Sequence, residues 1–247
     1  MASIAVYSVK GGVGKTTLAV NLAWISATIS RRKTLLWDLD ASNGSGFLLG
    51  VDARKKRSAD SVFLRDGDPE KLIRATAYPG LDLLPADESI RALDRQLGEL
   101  GKKRRIARIA EGLGKRYERI IFDCPPVLGE LSAQVMRAAD LVIVPLPPSP
   151  LSARAFEVVV EEVRGHGKGH PPILPVLSML DLRRSLHKAA REANPAWPVI
   201  PLASAVELCA VEQRPLGAFA PRSPAARAMA GLWTAIEKKL ASRKGDK

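Results

Sequence analysis

The sequence predicts an α/β fold, with a mostly parallel, twisted β-sheet and helices on both of its faces. Short apolar runs alternate with longer amphipathic stretches, which is the pattern of a parallel sheet covered by helices. Most of the short runs are continuous Ile, Val and Leu, as in strands that are buried on both faces. The chain has 247 residues, of which 46% are hydrophobic, enough for one large domain with a sizeable core. We therefore expect residues 1–247 to form a single domain.

The individual elements follow from the same alternation, with turn residues at their ends. The predicted strands are Ile4–Val9, Thr34–Asp38, Leu81–Leu84, Arg119–Asp123, Leu141–Pro145, Ile173–Ser178 and Val199–Leu202. The predicted helices are Thr16–Ile29, Glu88–Leu113, Leu131–Ala138, Ser152–Arg164, Leu182–Ala193 and Ser223–Ser242.

The most informative segment is a glycine-rich stretch between the first strand and the first helix, Lys10-Gly11-Gly12-Val13-Gly14-Lys15-Thr16-Thr17. Glycines allow consecutive backbone N–H groups to turn inward around phosphate oxygens. The helix N-terminus adds its free donors and the positive end of its dipole. Lys15 is then placed to reach the β- and γ-phosphates, and the Thr16 hydroxyl to ligate Mg²⁺. The stretch therefore predicts a P-loop.

The loop departs from the common P-loop spacing at its entrance. The usual G-x-x-x-x-G-K-[ST] pattern has glycine where this chain has Val9, and a second lysine, Lys10, follows. Lys10 is poorly placed to duplicate Lys15 on the same nucleotide. It could instead serve a phosphate on another subunit.

The stretch K-G-G-V-G-K-T-T resembles the deviant Walker A motif of the ParA/MinD ATPases, P-loop proteins that position DNA or other cargo in bacteria. The resemblance implies a P-loop NTPase fold, ATP and Mg²⁺ as cofactors, and a homodimer that closes on ATP. It also implies that Lys10 reaches across the dimer to the partner's ATP. By the same resemblance, the nucleotide-binding residues are Lys10, Gly11, Gly12, Val13, Gly14, Lys15, Thr16 and Thr17.

Three aspartates end two apolar strands, where side chains of a parallel sheet point into the ligand crevice. Asp38 and Asp40 follow one strand, and Asp123 ends another. In the family, the second aspartate of D-x-D orients the attacking water, so Asp40 matches the catalytic residue together with Lys10 and Lys15. Asp38 supports it, and Asp123 matches the Walker B residue that holds the Mg²⁺ shell with Thr16 and Asp38. The family's ParA branch usually has Pro-Gln next, where this chain has 41–42 as Ala-Ser.

Later motifs extend the resemblance along almost the whole chain. Residues 144–152 resemble the family's V-P-x-x-P-S-P-L-S loop, with Ser152 expected to cap the next helix. Residues 178–184 resemble M-Y-D-x-R, so that Met179 and Asp181 are expected to flank the adenine. The closing stretch has Ser223 as a helix cap and Pro224 at the first helical position. The residues that match DNA-contacting regions are Arg183, Arg184, Lys188, Arg222 and Arg227.

The charge balance points to a polyanionic partner. The net charge is +12, and residues 101–108 form the most cationic run. That run is as consistent with a solvated helix surface as with a polyanion patch. The polar C-terminal end cannot bury a useful apolar stripe in a membrane interface, so we expect no membrane partner. We expect a cytoplasmic, nucleoid-associated protein that binds double-stranded DNA without sequence preference through its phosphates.

The resulting functional prediction is a ParA-like ATPase of the short, Soj-like branch, which lacks an N-terminal DNA-binding domain. A ParB-like or other adaptor protein would trigger hydrolysis, and the cargo would be a plasmid, a chromosome or a protein assembly. A MinD-like membrane-associating regulator is the first alternative. A P-loop metal-cluster or reductase-type protein is disfavoured because Cys124 and Cys209 lack ligand spacing. An inactive DNA-binding scaffold is disfavoured by the complete set of Lys15, Thr16 and the aspartates.

Overall fold

A computed structural model of the chain describes residues 1–51, 59, 61, 68–99, 104–165 and 169–245. Its described strands form one eight-stranded sheet in the order β3-β4-β2-β5-β1-β6-β7-β8, parallel except for the β3–β4 pair. The strands are β1 (Ala2–Val6), β2 (Thr34–Asp38), β3 (Arg74–Ala75), β4 (Leu81–Leu84), β5 (Arg119–Asp123), β6 (Leu141–Leu146), β7 (Ile173–Leu180) and β8 (Val199–Pro201). The predicted fold class is confirmed.

Helices cover both faces of the sheet. They are α1 (Lys15–Trp24), α2 (Gly44–Leu48), α3 (Ile90–Glu99), α4 (Arg105–Leu113), α5 (Glu130–Ala138), α6 (Pro150–Gly165), α7 (Ser185–Ala193), α8 (Ser204–Glu212), α9 (Leu216–Phe219) and α10 (Pro224–Gly245). Helix α1 continues as a π-helical turn over Ile25–Ile29. A short 3₁₀ turn also lies at Pro69–Lys71.

The core has two layers, one on each face of the sheet. One layer packs α3, α4, α5 and α6 against the sheet and includes Trp37 and Phe122, whose rings lie 5.4 Å apart. The other packs α1, α8, α9 and α10 and includes Trp24 and Trp233. The near-continuous apolar strands are therefore buried on both faces, as the sequence predicts.

Several predicted boundaries differ from the structure. Strand β1 ends at Val6 rather than Val9, where its neighbour β5 also ends, since Val6 lies opposite Asp123. The single helix predicted over Glu88–Leu113 is wrong. It is two helices, α3 and α4, because Arg104 before α4 has a non-helical backbone (φ −128°, ψ 25°). Residues 100–103, the start of the cationic run, lie outside the described residues.

Helix caps explain two further differences. Helix α6 begins at Pro150, so its cap is Ser149, which accepts a 3.2 Å hydrogen bond from the Ser152 N–H; the prediction of Ser152 as the cap is wrong. At α10 the cap prediction is confirmed, since Ser223 accepts a 3.2 Å bond from the Ala226 N–H. Strand β3 and helices α2, α8 and α9 were not predicted from the sequence. These are short elements, or apolar on every side, and show no clear period.

The topology brings the predicted site residues to one edge of the sheet. Strands β2, β5 and β1 are parallel neighbours, and Asp38 is paired in register with Asp123. The segments after β1, β2 and β5 therefore emerge side by side at the carboxyl end of the sheet, where parallel α/β sheets bind ligands.

Candidate nucleotide site

The glycine-rich loop is shaped by two residues with positive φ. Gly12 has φ 71° and Gly14 has φ 88°, a conformation that side-chain-bearing residues rarely adopt. Gly14 is the N-cap of α1, so the loop runs directly into the free N–H groups of that helix. The Ser178 hydroxyl at the end of β7 donates a 3.3 Å hydrogen bond to the Val13 carbonyl and ties the loop to the sheet.

Lys15 lies at the start of α1 with only 7% of its surface exposed. Its Nζ donates a 3.3 Å hydrogen bond to the Lys10 carbonyl, so the side chain folds back over its own loop. Burial lowers the pKa of Lys15, and the nearby carboxylates of Asp123 and Asp40 act in the opposite direction. The ammonium group thus lies inside the loop and within electrostatic reach of both aspartates.

Two aspartates at the ends of adjacent strands are joined by one serine that the sequence did not single out. The Ser45 hydroxyl donates a 2.9 Å hydrogen bond to Asp123 Oδ2, and the Ser45 N–H donates a 3.0 Å bond to Asp38 Oδ2. All three residues are buried. Burial raises the pKa of Asp123 to about 6 and the pKa of Asp38 well above its usual range, while the hydrogen bonds from Ser45 oppose both shifts.

These residues fit a hydrated Mg²⁺ ion. Asp123 Oδ1 is buried and has no hydrogen-bond partner, an oxygen for which a metal-bound water is a suitable partner. The Thr16 hydroxyl also hydrogen-bonds to Asp123. Within the described ranges, no cluster of three or more His, Cys, Asp or Glu residues could hold a metal ion by itself. That suits Mg²⁺, which is usually bound by one or two carboxylates, waters and substrate phosphates.

Asp40 lies two residues beyond the end of β2 and is half-buried. Its N–H donates a 2.9 Å bond to Asp38 Oδ1, and its own Oδ1 accepts a 3.0 Å bond from the Ser42 N–H. These bonds fix the turn that carries the Asp40 carboxylate, although the Pro-Gln of the ParA branch is absent.

The entrance lysine, Lys10, turns away from the loop that Lys15 occupies. Its Nζ donates hydrogen bonds to the Ser152 hydroxyl (3.0 Å) and the Ser149 hydroxyl (3.3 Å). The two serine hydroxyls also bond to each other at 2.8 Å. In this arrangement Lys10 is held on the first turn of α6, outside its own phosphate loop.

A cavity of about 130 Å³ lies between the phosphate loop and the β8–α8 connection. Met179 lines it with a left-handed backbone (φ 53°), which is strained for a residue other than glycine. Asp181 is not among the lining residues, and its carboxylate instead accepts two hydrogen bonds from the Arg183 side chain, at 2.8 and 2.9 Å. The prediction that Asp181 flanks the base therefore has no support from this cavity. The remaining lining is mostly apolar and includes Pro201, Leu202, Ala203 and Val206.

The predicted DNA-contacting residues are all exposed. Arg183 and Arg184 flank the start of α7 with 88% and 65% of their side chains exposed, and both pair with Asp181. Lys188 is on α7, whereas Arg222 and Arg227 lie at the start of α10, where Arg227 hydrogen-bonds the Arg222 carbonyl. Arg183 thus has an internal carboxylate competing for its guanidinium.

Sequence reasoning missed the residues that support this site from other elements. Ser45 lies in a Ser-Asn-Gly-Ser run with no motif, and only the fold places it beneath the two aspartates. The lining of the cavity by residues 201–206 was accessible in principle, because a predicted strand precedes them and parallel strands end at the ligand edge.

A glycine-rich loop between a strand and a helix, with a buried lysine and acidic residues at the neighbouring strand ends, defines a P-loop NTPase. The AAA domain family matches residues 1–168. The sporulation initiation inhibitor protein Soj of Bacillus subtilis is 32% identical over 189 residues, 74% of either chain. The chromosome partitioning protein ParA of Caulobacter vibrioides is 33% identical over 193 residues, 74% of this chain and 71% of the relative. The chain belongs to the ParA/MinD family of P-loop ATPases.

Solved structures show the same fold. An ATP complex of a Cyanothece McdA variant superposes with a TM-score of 0.84 at 17% identity, covering 98% of this chain and 96% of that one. MinD from Pyrococcus horikoshii, complexed with Mg-ADP, superposes with a TM-score of 0.79 at 24% identity over 96% of both chains. At these identities the likeness is one of fold.

Proposed function

We propose that the chain is a Mg²⁺-dependent ATPase that hydrolyses ATP to ADP and phosphate and positions a DNA or protein cargo, as ParA proteins do. The observation that carries the proposal is the burial of Lys15 beside Asp123 and Asp40 at a glycine-rich loop. The inclusion of all eight described strands in one sheet supports a single ATPase domain spanning residues 1–247.

The residues present can perform phosphoryl transfer by positioning and charge stabilisation. The N–H groups of residues 11–17 bind the phosphates, and Lys15 neutralises charge that develops on them. Bound Mg²⁺ supplies further neutralisation, held by Thr16 and by Asp123 and Asp38 through its waters. Asp40 orients the attacking water. The cavity beside Met179 accepts the base.

Lys10 supports a second step, closure of a homodimer on ATP. Its ammonium group binds Ser149 and Ser152 rather than its own loop, which is the arrangement expected of a lysine that serves the partner's nucleotide. We propose that the homodimer places each Lys10 on the ATP of the other subunit, so that hydrolysis depends on dimerisation.

The basic surface supports double-stranded DNA as the polyanion. We propose sequence-independent binding through Arg183, Arg184, Lys188, Arg222 and Arg227, and a nucleoid-associated location. Dimerisation doubles the cations that engage one duplex, so ATP would switch binding on by avidity. A ParB-like or other adaptor would stimulate hydrolysis and release. No described helix combines the length and low charge needed to cross a membrane.

The test is a comparison of Lys15→Ala with Lys10→Ala. Lys15→Ala should lose ATP binding, because the phosphates lose the charge inside the loop. Lys10→Ala should keep ATP binding but fail to dimerise or hydrolyse, since its role is on the other subunit. ATP affinity, sedimentation with ATP and phosphate release are measured for both, with exposed Lys188→Ala as the control. Normal dimerisation and turnover in Lys10→Ala would disprove the role across the dimer.

A further inference from the structure

Away from the nucleotide site, a groove of about 600 Å³ runs beside α6, where the helix layer leaves part of β7 uncovered. The strand residues Ile173 and Pro175 are only half-buried at its floor. Phe156 and Val160 add apolar surface from α6, and the ends of the groove differ in polarity. Exposed apolar strand surface of this kind marks an interaction site more often than a defect of packing.

The groove continues toward the phosphate loop. A second cavity, of about 200 Å³, shares Phe156 and Glu157 with the first and is bounded by Trp197 after α7. The rings of Phe156 and Trp197 meet edge to face with centroids 5.6 Å apart. This second cavity reaches Ser149 and Ser152, the residues that hold Lys10. The two cavities thus form one groove, called the α6 groove below.

The wall of the α6 groove is acidic in a chain whose net charge is +12. Glu157 and Glu161 are both exposed and lie one helical turn apart. Neither carboxylate has a hydrogen bond or an ion pair to another residue in the part of the chain that the structure describes. A like-charge pair at this spacing destabilises a helix, so the pair is not explained by α6 itself. Arg164 and His170 follow at the far end.

We propose that the α6 groove docks a basic amphipathic segment of another protein, with apolar side chains on the floor and Lys or Arg side chains against Glu157 and Glu161. The charge pattern selects this occupant, because the two carboxylates repel nucleic acid and acidic lipid surfaces. The proposal deepens the proposed function, since the natural occupant would be the adaptor that stimulates hydrolysis.

Docking in the α6 groove would act on Lys10 through Ser149 and Ser152. A segment that extends to the near end of the groove competes for the two hydroxyls that accept from Lys10 Nζ. Displacing Lys10 frees its ammonium group for the nucleotide of a second subunit. The α6 groove therefore connects partner binding to the residue that the proposed reaction needs.

The probe is a short fluorescein-labelled helical peptide of leucine and lysine, with a leucine and glutamate peptide of the same pattern as its counterpart. Binding is measured by anisotropy, without nucleotide, to the full chain and to the double variant Glu157→Lys/Glu161→Lys. The matched control is Glu192→Lys/Glu212→Lys, which makes the same change of net charge at exposed positions outside the α6 groove. We expect the groove variant to weaken binding about tenfold more than the control does, from two lost ion pairs and two new repulsions.

Trp197 provides a second measurement at the groove itself. The lysine peptide should shift tryptophan emission in the wild type, and Trp197→Phe should remove that shift while the anisotropy change remains. Equal weakening in groove and control variants, tighter binding of the glutamate peptide, or no binding of the lysine peptide would overturn the proposal. Because no nucleotide is present, a chain that proved inactive as an ATPase would leave this result unchanged.

Discussion

Ser45 offers the sharpest test of how the acidic centre is built. Its hydroxyl donates to Asp123 Oδ2 at 2.9 Å, and the residue is fully buried. Ser45→Ala removes this donor and keeps the backbone N–H that bonds to Asp38. A hydrogen bond to a charged group contributes about 1.5–3 kcal/mol, so we expect the free energy of unfolding to fall by about that amount.

The loss should depend on pH in a definite direction. The pKa of Asp123 is about 6 in the folded chain, against the ordinary 3.8. The fold therefore holds a proton that the unfolded chain releases, and the stability contributed by Asp123 falls as pH rises from about 4 to about 6. The Ser45 hydrogen bond stabilises the ionised carboxylate. Ser45→Ala should consequently cost more at about pH 8, where Asp123 is ionised, than at about pH 5.

The assay is urea unfolding with a metal chelator present, for wild type, Ser45→Ala and the control Ser42→Ala. Ser42 lies in the same loop with an exposed side chain, and only its backbone N–H bonds to Asp40. With an m-value of about 3 kcal/mol/M, the urea midpoint of Ser45→Ala should fall by roughly 0.5–1 M at the higher pH. Midpoints that match Ser42→Ala at both pH values would refute the argument that Ser45 stabilises an ionised Asp123.

Three further predictions concern the reaction and its ligands. Asp40→Ala should slow single-turnover hydrolysis at least about a hundredfold yet keep ATP affinity and trap the ATP dimer, because only the water loses its orienting carboxylate; wild-type turnover would move that role elsewhere. Ala203→Leu should weaken ATP binding by about tenfold or more by filling the 130 Å³ cavity, whereas exposed Ala210→Leu should not; equal affinities in both would exclude the cavity as the base site. Arg183→Ala should weaken binding to all DNA sequences and flatten the log–log salt slope by roughly one unit per contacting copy, while Asp181→Asn should strengthen binding by releasing Arg183. Binding without ATP that equals binding with it would contradict the dimer switch.

The sequence by itself determined the fold class and the main parts of the site. Lys15, Thr16, Asp40 and Asp123 could be placed because their roles depend on local geometry: a glycine loop between a strand and a helix, and carboxylates at strand ends. A parallel sheet then brings all strand ends to one edge, whatever the loops between them do. Strand prediction succeeded because double-sided burial leaves continuous apolar runs.

Contacts between elements distant in the chain were decided only by the tertiary structure. Ser45 meets Asp123 across 78 positions, and Lys10 meets Ser152 across 142. A hydroxyl carries no periodic signal, so nothing local predicts which carboxylate or ammonium group it will contact. The α6 groove is a gap between α6, α7 and β7, and it exists only once those elements have packed. Local patterns fix the geometry that one strand–loop–helix unit can set, while long-range pairing depends on how all the units pack into one core.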